Sequence, residues 1–225
     1  MKIGTCGWSS FPERGDRLLN YVHAFPAVEV NSTFYKLPML KTAEKWRAKA
    51  DSVNPEFEFT LKVLRTVTHF DRFRGAESVK AFWETKKVAE LLRADFLVFQ
   101  SPASFKPTKE NIARARKFFG KIKREEFRLG WEVRWSKDWT REIAEPLFEE
   151  LELEHIVDPL RQESFHRKIG YYRLHGLGER MMYYYTFSDA ELKEIAKKTR
   201  GAEYVFFNNI TMGEDAIRFK KISGV

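Results

Sequence analysis

Cysteine, glutamine and long apolar runs are scarce in this sequence. One cysteine, Cys6, stands among 225 residues, so an internal disulfide and a cysteine-rich zinc site are both excluded. No segment approaches the roughly 20 consecutive apolar residues that a membrane-spanning helix needs. The opening residues Met1–Trp8 also lack the apolar run of a signal peptide. We therefore expect a soluble, cytoplasmic protein with no membrane partner.

Charged residues are plentiful, whereas glutamine occurs only at positions 100 and 162. A charged, amide-poor composition is typical of heat-adapted proteins, and we predict a thermophilic source. Lysine and arginine total 40 against 32 aspartates and glutamates, which gives a net charge of +8. Such an excess favours polyanionic partners, because binding phosphates releases counterions. The alternative is a basic surface of well-mixed charges.

Eight short apolar or β-branched runs recur along the chain, as expected of buried parallel strands. They are Lys2–Gly7, Ala27–Ser32, Glu58–Val63, Asp95–Ser101, Phe127–Arg134, His155–Asp158, Ile169–His175 and Glu203–Asn208. Helical patterns fill most of the gaps: Thr42–Ala50, Ser78–Leu92, Thr108–Phe119, and a helix that a capping box opens at Ser188 and that ends near Gly201. The alternation predicts an α/β fold: a single (β/α)8 TIM-like barrel domain over residues 1–225.

We expect Gly120 to end the helix that Thr108 caps. Two places fit a regular barrel poorly. Pro146 falls inside the fifth helical pattern, where we expect the helix to break or restart. Between Pro159 and Lys168 there is too little chain for an ordinary parallel crossover. The sixth crossover is therefore expected to be irregular.

The carboxyl ends of the predicted strands are unusually polar, and in a barrel these ends carry the chemistry. Because strand side chains alternate between faces, polar pairs share one face in three strands: Glu29 with Asn31, Glu132 with Arg134, and Arg173 with His175. The apolar face must meet the helices, so the polar face looks into the barrel. Buried charges of this kind must pair with each other, with a ligand or with water. They predict either a ligand site or a structural layer of ion pairs, and we favour the ligand site.

The candidate site residues follow from this placement. Those expected to carry acid–base chemistry are Glu29, Glu132, Asp158 and His175. Those expected to bind a ligand are Asn31, Lys62, His69, Gln100, Arg134, Arg173, Asn208, Trp8 and Tyr35. His69 lies in a basic loop, Thr66–Arg74, which is a candidate for contacts with a phosphate backbone. Cys6 is expected to be a packing residue.

Several motifs resemble one known family. They are Gly4–Trp8, Val28–Pro38, Phe59–Val63, Phe99–Pro102, Trp131–Arg134, Tyr172–Gly176 and Phe206–Asn209. Together they resemble the signature of the YecE-like proteins, a family of TIM barrels with no established activity, over nearly the full chain. The family has been likened to the endonuclease IV and sugar-isomerase barrels, which is an analogy of fold.

Three functions remain open at this point. In the first, Lys62, Arg134 and Arg173 hold a phosphate, carboxylates act as general base, and His69 or His175 acts as general acid in an endonuclease-IV-like phosphodiester hydrolase. Aromatic residues would then stack on bases or sugars: Trp8, Tyr35, Trp135, Trp139 and 183–185. The second is a sugar isomerase or lyase with Mg²⁺ or Mn²⁺ on Glu29, Glu132, Asp158 and His175. The third is a non-catalytic barrel that binds an anionic small molecule or nucleic acid.

Overall fold

Eight parallel strands form the centre of the molecule. The computed structural model describes residues 1–11, 15–134, 137–178 and 183–225. The strands are β1 (Lys2–Thr5), β2 (Ala27–Val30), β3 (Glu58–Lys62), β4 (Phe96–Ser101), β5 (Arg128–Val133), β6 (Glu154–His155), β7 (Tyr171–Leu174) and β8 (Tyr204–Phe207). Each overlaps the run that the sequence predicts.

Seven α-helices alternate with these strands over the described ranges. They are α1 (Arg17–Ala24), α2 (Leu40–Asp51), α3 (Ala76–Leu92), α4 (Lys109–Lys121), α5 (Arg141–Glu150), α6 (Asp189–Lys198) and α7 (Met212–Ser223). The capping box of α6 is confirmed, since Ser188 Oγ accepts from Glu191 N while the Glu191 carboxylate accepts from Ser188 N. Thr108 caps α4 by accepting from Asn111 N. The helical patterns did not single out α1 and α7.

The strands follow one another in chain order around a ring. Hydrogen bonds link β2-β3-β4-β5-β6 into one parallel sheet and β1-β8-β7 into another. A single parallel bridge joins the two sheets at each seam, Cys6 with Glu29 and Val157 with Tyr172. The arrangement is the TIM-like barrel that the alternation predicts.

The inside of the barrel is divided along its axis. Towards the amino ends of the strands it is filled by aromatic rings, for example Phe96 stacked on Tyr171 at 4.6 Å between centroids. Gly4 lets the backbones approach at this level, because a Cβ there would lie 2.2 Å from the Ala27 carbonyl oxygen. Outward-facing residues such as Val28 and Leu61 belong to the core shared with the helices. Polar side chains occupy the other end, which we call the barrel mouth.

The sixth crossover is irregular, as predicted. Residues 156–170 contain no helix, and the segment folds back along β6 instead. The buried carboxylate of Glu154 holds it there by accepting from four consecutive backbone N–H groups, those of residues 168–171. The Glu154 side chain thus holds this segment against the barrel, as a packed helix would in a regular crossover.

Two helix predictions were wrong. Helix α5 runs through Pro146 without a break. The missing N–H removes one helical hydrogen bond, while buried Ala144, Leu147 and Phe148 keep the helix against the core. Helix α4 likewise continues past Gly120 to Lys121, because glycine at a helix end weakens the helix without ending it. Separately, no helix in the described part of the chain is both long and apolar enough to span a membrane.

Candidate functional site at the barrel mouth

Arg173, at the carboxyl end of β7, is the centre of the polar network and is fully buried. Its Nε and Nη2 donate to the two carboxylate oxygens of Glu29, each at 2.8 Å. Its Nη1 donates to Glu132 and, at 2.9 Å, to Gln100 Oε1. Tyr171 adds a hydroxyl donor to Glu29 at 3.0 Å. One guanidinium therefore ties together strands β2, β4, β5 and β7.

Glu132 on β5 is the second junction. Its Oε1 accepts from Arg134 Nε at 3.0 Å, and its Oε2 accepts from Arg173 and lies 3.2 Å from His175 Nε2. Burial by itself would raise the pKa of this carboxyl, but Arg173, His175 and Arg134 hold the pKa well below its usual range. Glu132 is therefore an ionised, fully engaged carboxylate at neutral pH.

His175 lies between Glu132 and Asn208. Its Nδ1 is 3.1 Å from the Asn208 amide nitrogen. Burial lowers the pKa of His175 to about 4, against the opposing effect of Glu132. The ring is thus neutral at pH 7, and the tautomer that satisfies both neighbours donates from Nε2 to Glu132 and accepts at Nδ1 from Asn208.

Lys62, at the end of β3, differs from these residues because its amine has no hydrogen-bonding or ion-pair partner anywhere in the described residues. The side chain is buried, with 4% of the residue exposed, and Nζ lies 3.9 Å from the centre of the Phe34 ring. Burial, together with Arg173 and Arg134, lowers the pKa of Lys62 to about 7, while Glu29 and Glu132 oppose the shift.

His69 lies beside Lys62 in a single turn of π-helix, Thr66–Phe70, that follows β3. Its ring packs edge-on against Phe34 at 4.9 Å, and Nδ1 lies 2.9 Å from Thr68 Oγ1. Burial lowers the pKa of His69 to about 4, and the neighbouring cations, first among them Lys62, add to that shift. This histidine is also neutral at pH 7.

A cavity of about 390 Å³ opens next to the mouth between β1 and β2. Trp8, Asn31 and Tyr35 contribute to its wall. Asn31 Oδ1 is buried and accepts no hydrogen bond within the part of the chain described. The cavity therefore offers aromatic surface.

Asp158 is placed differently from the sequence expectation. Its two oxygens accept from backbone N–H groups, Oδ1 from Leu160 and Oδ2 from His175. Burial raises the pKa of Asp158 to about 6 against the effect of these bonds. The side chain positions the segment after β7 and does not point a carboxylate into the mouth.

The predicted stacking aromatics do not form one group. Trp139 is buried in the core, where its indole N–H donates to the Phe105 carbonyl. Tyr185 donates to Glu191 on α6, whereas Tyr183 is exposed and bonds Arg134 at the mouth. Trp135 lies outside the described residues. Only Trp8, Tyr35 and Tyr183 of the predicted set are described at the mouth or its adjoining cavity.

A family model described as "Protein of unknown function DUF72" matches residues 2–221. The chain is a member of the DUF72 family. No curated protein matches the sequence.

Solved structures agree with the barrel fold of this DUF72 chain. A DUF72 family protein from Thermotoga maritima MSB8 is 24% identical with a TM-score of 0.77, covering all of this chain and 99% of the other. One from Enterococcus faecalis V583 is 18% identical with a TM-score of 0.79, covering 100% and 95%. SacUVDE is 11% identical with a TM-score of 0.69, covering 99% and 97%. At these identities the likeness concerns the fold.

Three residues at the site of the DUF72 chain were not among the predicted ones: Phe34, Phe70 and Tyr171. Tyr171 shares the inward face of β7 with Arg173, so the period of two could have identified it. Phe34 and Phe70 lie in short non-α turns, Ser32–Phe34 and Thr66–Phe70. No strand or helix periodicity extends into such turns, so the sequence indicated only the segments that contain them, Val28–Pro38 and Thr66–Arg74.

The metal-dependent alternative finds little support in the geometry of this DUF72 chain. Over the described ranges no group of three or more His, Cys, Asp or Glu side chains is arranged to hold a metal ion. Glu29 and Glu132 both bind Arg173, and Asp158 accepts from the backbone. The three carboxylates predicted as ligands are therefore engaged with cationic or backbone donors, and the fourth predicted ligand, His175, contacts Glu132 and Asn208.

Proposed function

We propose that the barrel mouth binds the phosphate backbone of single-stranded nucleic acid. The observation that carries this proposal is Lys62, a nearly buried amine at the mouth without an acceptor of its own. Such an amine gains a hydrogen bond and an ion pair when an anion arrives, whereas a cation already paired would have to exchange partners.

The charges of the mouth support an anionic ligand. When the Lys62 amine is protonated, the described residues Lys62, Arg134 and Arg173 carry three positive charges at the mouth, against the two negative charges of Glu29 and Glu132. Both carboxylates bind Arg173, and Glu132 also binds Arg134. The positive charge that no carboxylate pairs with is therefore that of Lys62. A phosphate oxygen beside Lys62 would balance it.

The rim of the mouth supports a nucleic acid as the source of that phosphate. Tyr35 and Phe70 are 61% and 63% exposed, and the Arg65 guanidinium lies 5.6 Å and 4.9 Å from their ring centres. Exposed aromatic rings with adjacent arginine are the surfaces on which unpaired bases stack. The net charge of +8 would also draw a polyanion towards the protein.

Hydrolysis of the backbone is less well supported than binding. A general base needs a free oxygen or nitrogen that takes up a proton near the working pH. Glu132 has three donors and a low pKa, and Glu29 has three bonds to Arg173 and Tyr171. Neither carboxylate is placed to activate water, so the proposal is for binding at the phosphate.

The test is fluorescence anisotropy with a labelled single-stranded oligonucleotide across a salt series. If about three or four phosphates are neutralised, log Kd against log salt should have a slope of about 2 to 3. Lys62→Met should weaken binding at every salt concentration. Lys86→Met is the matched control, because Lys86 is equally buried but pairs with Glu90 and Glu125 on the outside of the barrel.

Three results would contradict the proposal. The first is an affinity that does not change between low and moderate salt. The second is an affinity that Lys62→Met leaves unaltered. The third is binding of inorganic phosphate or a mononucleotide as tight as that of the oligonucleotide, which would indicate a small anionic ligand instead.

A further inference from the structure

We infer that the Lys62 amine forms an imine with the aldehyde of a ring-opened abasic sugar, so that the barrel cleaves the strand by elimination. The inference rests on the proposed function for its substrate class, nucleic acid. It adds a reacting group, Lys62, and a reaction that needs no activated water.

The placement of Lys62 is that of a reactive amine. The other lysine that is almost fully buried, Lys86, has carboxylates from Glu90 and Glu125 within 3.5 Å. Lys62 has only the face of Phe34 against its amine. That ring restricts the side chain without occupying the nitrogen lone pair, and His69 packs on the same ring.

The charged groups around Lys62 come from four elements. They are Glu29 on β2, Glu132 and Arg134 at the end of β5, Arg173 on β7 and His69 in the turn after β3. Burial first, and then Arg173, lower the pKa of Lys62 to about 7. About half of the amine is therefore uncharged at neutral pH, and only the uncharged amine attacks carbonyl carbon.

An abasic sugar supplies the matching electrophile. In its open form it carries an aldehyde between two phosphates, so the mouth that binds phosphate would place the carbonyl carbon near the amine. Lys62 Nζ adds to that carbon, and a C–N bond forms as the carbonyl π bond breaks. The carbinolamine then loses water, which leaves the imine.

Elimination follows from the electron-withdrawing imine. The carbon next to the imine loses a proton, its electron pair forms a carbon–carbon double bond, and the C–O bond to the 3′ phosphate breaks with its electrons on the phosphate oxygen. The proton goes to solvent water, because the pKa of His69, about 4, makes that ring too weak a base at neutral pH. Water then hydrolyses the imine and restores the amine, so no oxidant or metal is consumed.

The experiment uses the full chain with a labelled single-stranded oligonucleotide that contains one abasic site, in EDTA. Borohydride should trap a covalent protein–DNA adduct, and peptide mapping should locate it on Lys62. Lys62→Arg, which keeps the charge, should lose the adduct, while the control Lys86→Arg should keep it. In the free protein at pH 7 the uncharged fraction of the Lys62 amine is about a thousandfold that of an ordinary lysine. The bound strand raises the pKa of Lys62, so trapping should rise with pH with a midpoint above pH 7.

A second arm separates this inference from the proposed function. An oligonucleotide with a tetrahydrofuran residue has the shape of an abasic site but no aldehyde. If it binds through Lys62 while the true abasic strand gives no adduct, the imine is overturned and the proposed binding stands. If glyceraldehyde 3-phosphate is trapped on Lys62 while neither oligonucleotide binds, nucleic acid is overturned as the substrate. An adduct that persists in Lys62→Arg overturns the assignment of the amine.

Discussion

Arg173 on β7 donates two parallel hydrogen bonds of 2.8 Å to the carboxylate of Glu29 on β2, and both side chains are fully buried. The two strands lie in different sheets of the ring, so the ion pair crosses the barrel interior and links the two sheets. This link adds to the single backbone bridge that joins the sheets at each seam. The buried ion-pair layer that the sequence left as an alternative is therefore present. It coexists with a ligand site, because Lys62 lies beside the layer without belonging to it.

We expect Arg173→Met to lower the free energy of unfolding by about 3–5 kcal/mol, because it leaves Glu29 and Glu132 buried without their shared cation. Urea unfolding followed by circular dichroism measures the change. Arg116→Ala, which breaks an exposed pair with Glu150 on the outer helices, should change stability by less than about 1 kcal/mol. Equal effects of the two substitutions would show that the layer contributes little.

Stability should depend on pH through Lys62. Its pKa is about 7 in the folded protein against an ordinary value of 10.5, so between these values the unfolded chain holds a proton that the folded chain lacks. Stability therefore rises with pH across this window. Lys62→Met should remove the rise and stabilise the ligand-free protein at pH 6 by about 1–4 kcal/mol.

Urea unfolding at pH 6 and pH 9, in a buffer without phosphate or sulfate, tests this difference. The two proteins should converge towards the higher pH. Parallel profiles for wild type and Lys62→Met would mean that the Lys62 amine keeps an ordinary pKa in the fold.

Glu132→Gln tests whether the Glu132 carboxylate only lowers the positive charge of the mouth or contacts the ligand directly. The substitution removes one negative charge and weakens the hold on Arg134, so we expect oligonucleotide affinity to increase by about threefold to tenfold. Anisotropy titration measures it, with Glu150→Gln on α5 as the outer-surface control. Loss of binding in a folded Glu132→Gln protein would show that the ligand needs this carboxylate.

Surface ion pairs lead to a thermal prediction. Asp51 pairs with both Arg47 and Arg93, and Arg128 pairs with both Asp95 and Glu203. Networks of this kind contribute more to the stability of the fold as temperature rises. We expect a Tm above the range of about 45–65 °C that is usual for mesophilic domains, and calorimetry that finds a Tm inside that range would contradict a thermophilic source.

The barrel was predictable from the sequence because its signals are local. Each strand is a short run rich in β-branched or aromatic residues. The alternation of side chains along a strand is sufficient to place Glu29, Glu132 and Arg173 on the inner face. The irregular sixth crossover was also predictable, since ten residues leave no room for a helix and two turns.

The partners inside the barrel were not predictable in the same way. Strand geometry places both Lys62 and Arg173 on the inner face of the barrel. Arg173 pairs with two carboxylates, whereas the Lys62 amine has no partner in the described residues. That difference depends on which side chains of non-adjacent strands meet across the barrel interior, which strand composition does not encode. Asp158 was not predictable either, because one of its backbone donors, Leu160, lies within the irregular crossover and the other, His175, follows β7.

In the free protein the Lys62 amine has no partner among the described residues, and its titration shows whether an anion supplies one. Lysine labelled with ¹³C at Cε can be followed by NMR from pH 5 to 11, with Lys62→Arg to assign the resonance. We predict a pKa of about 7 without ligand and a clear rise in that pKa when a single-stranded oligonucleotide is added. A resonance that titrates near 10.5 in the free protein, or whose pKa the oligonucleotide does not change, would show that the Lys62 amine is not the group that binds the phosphate.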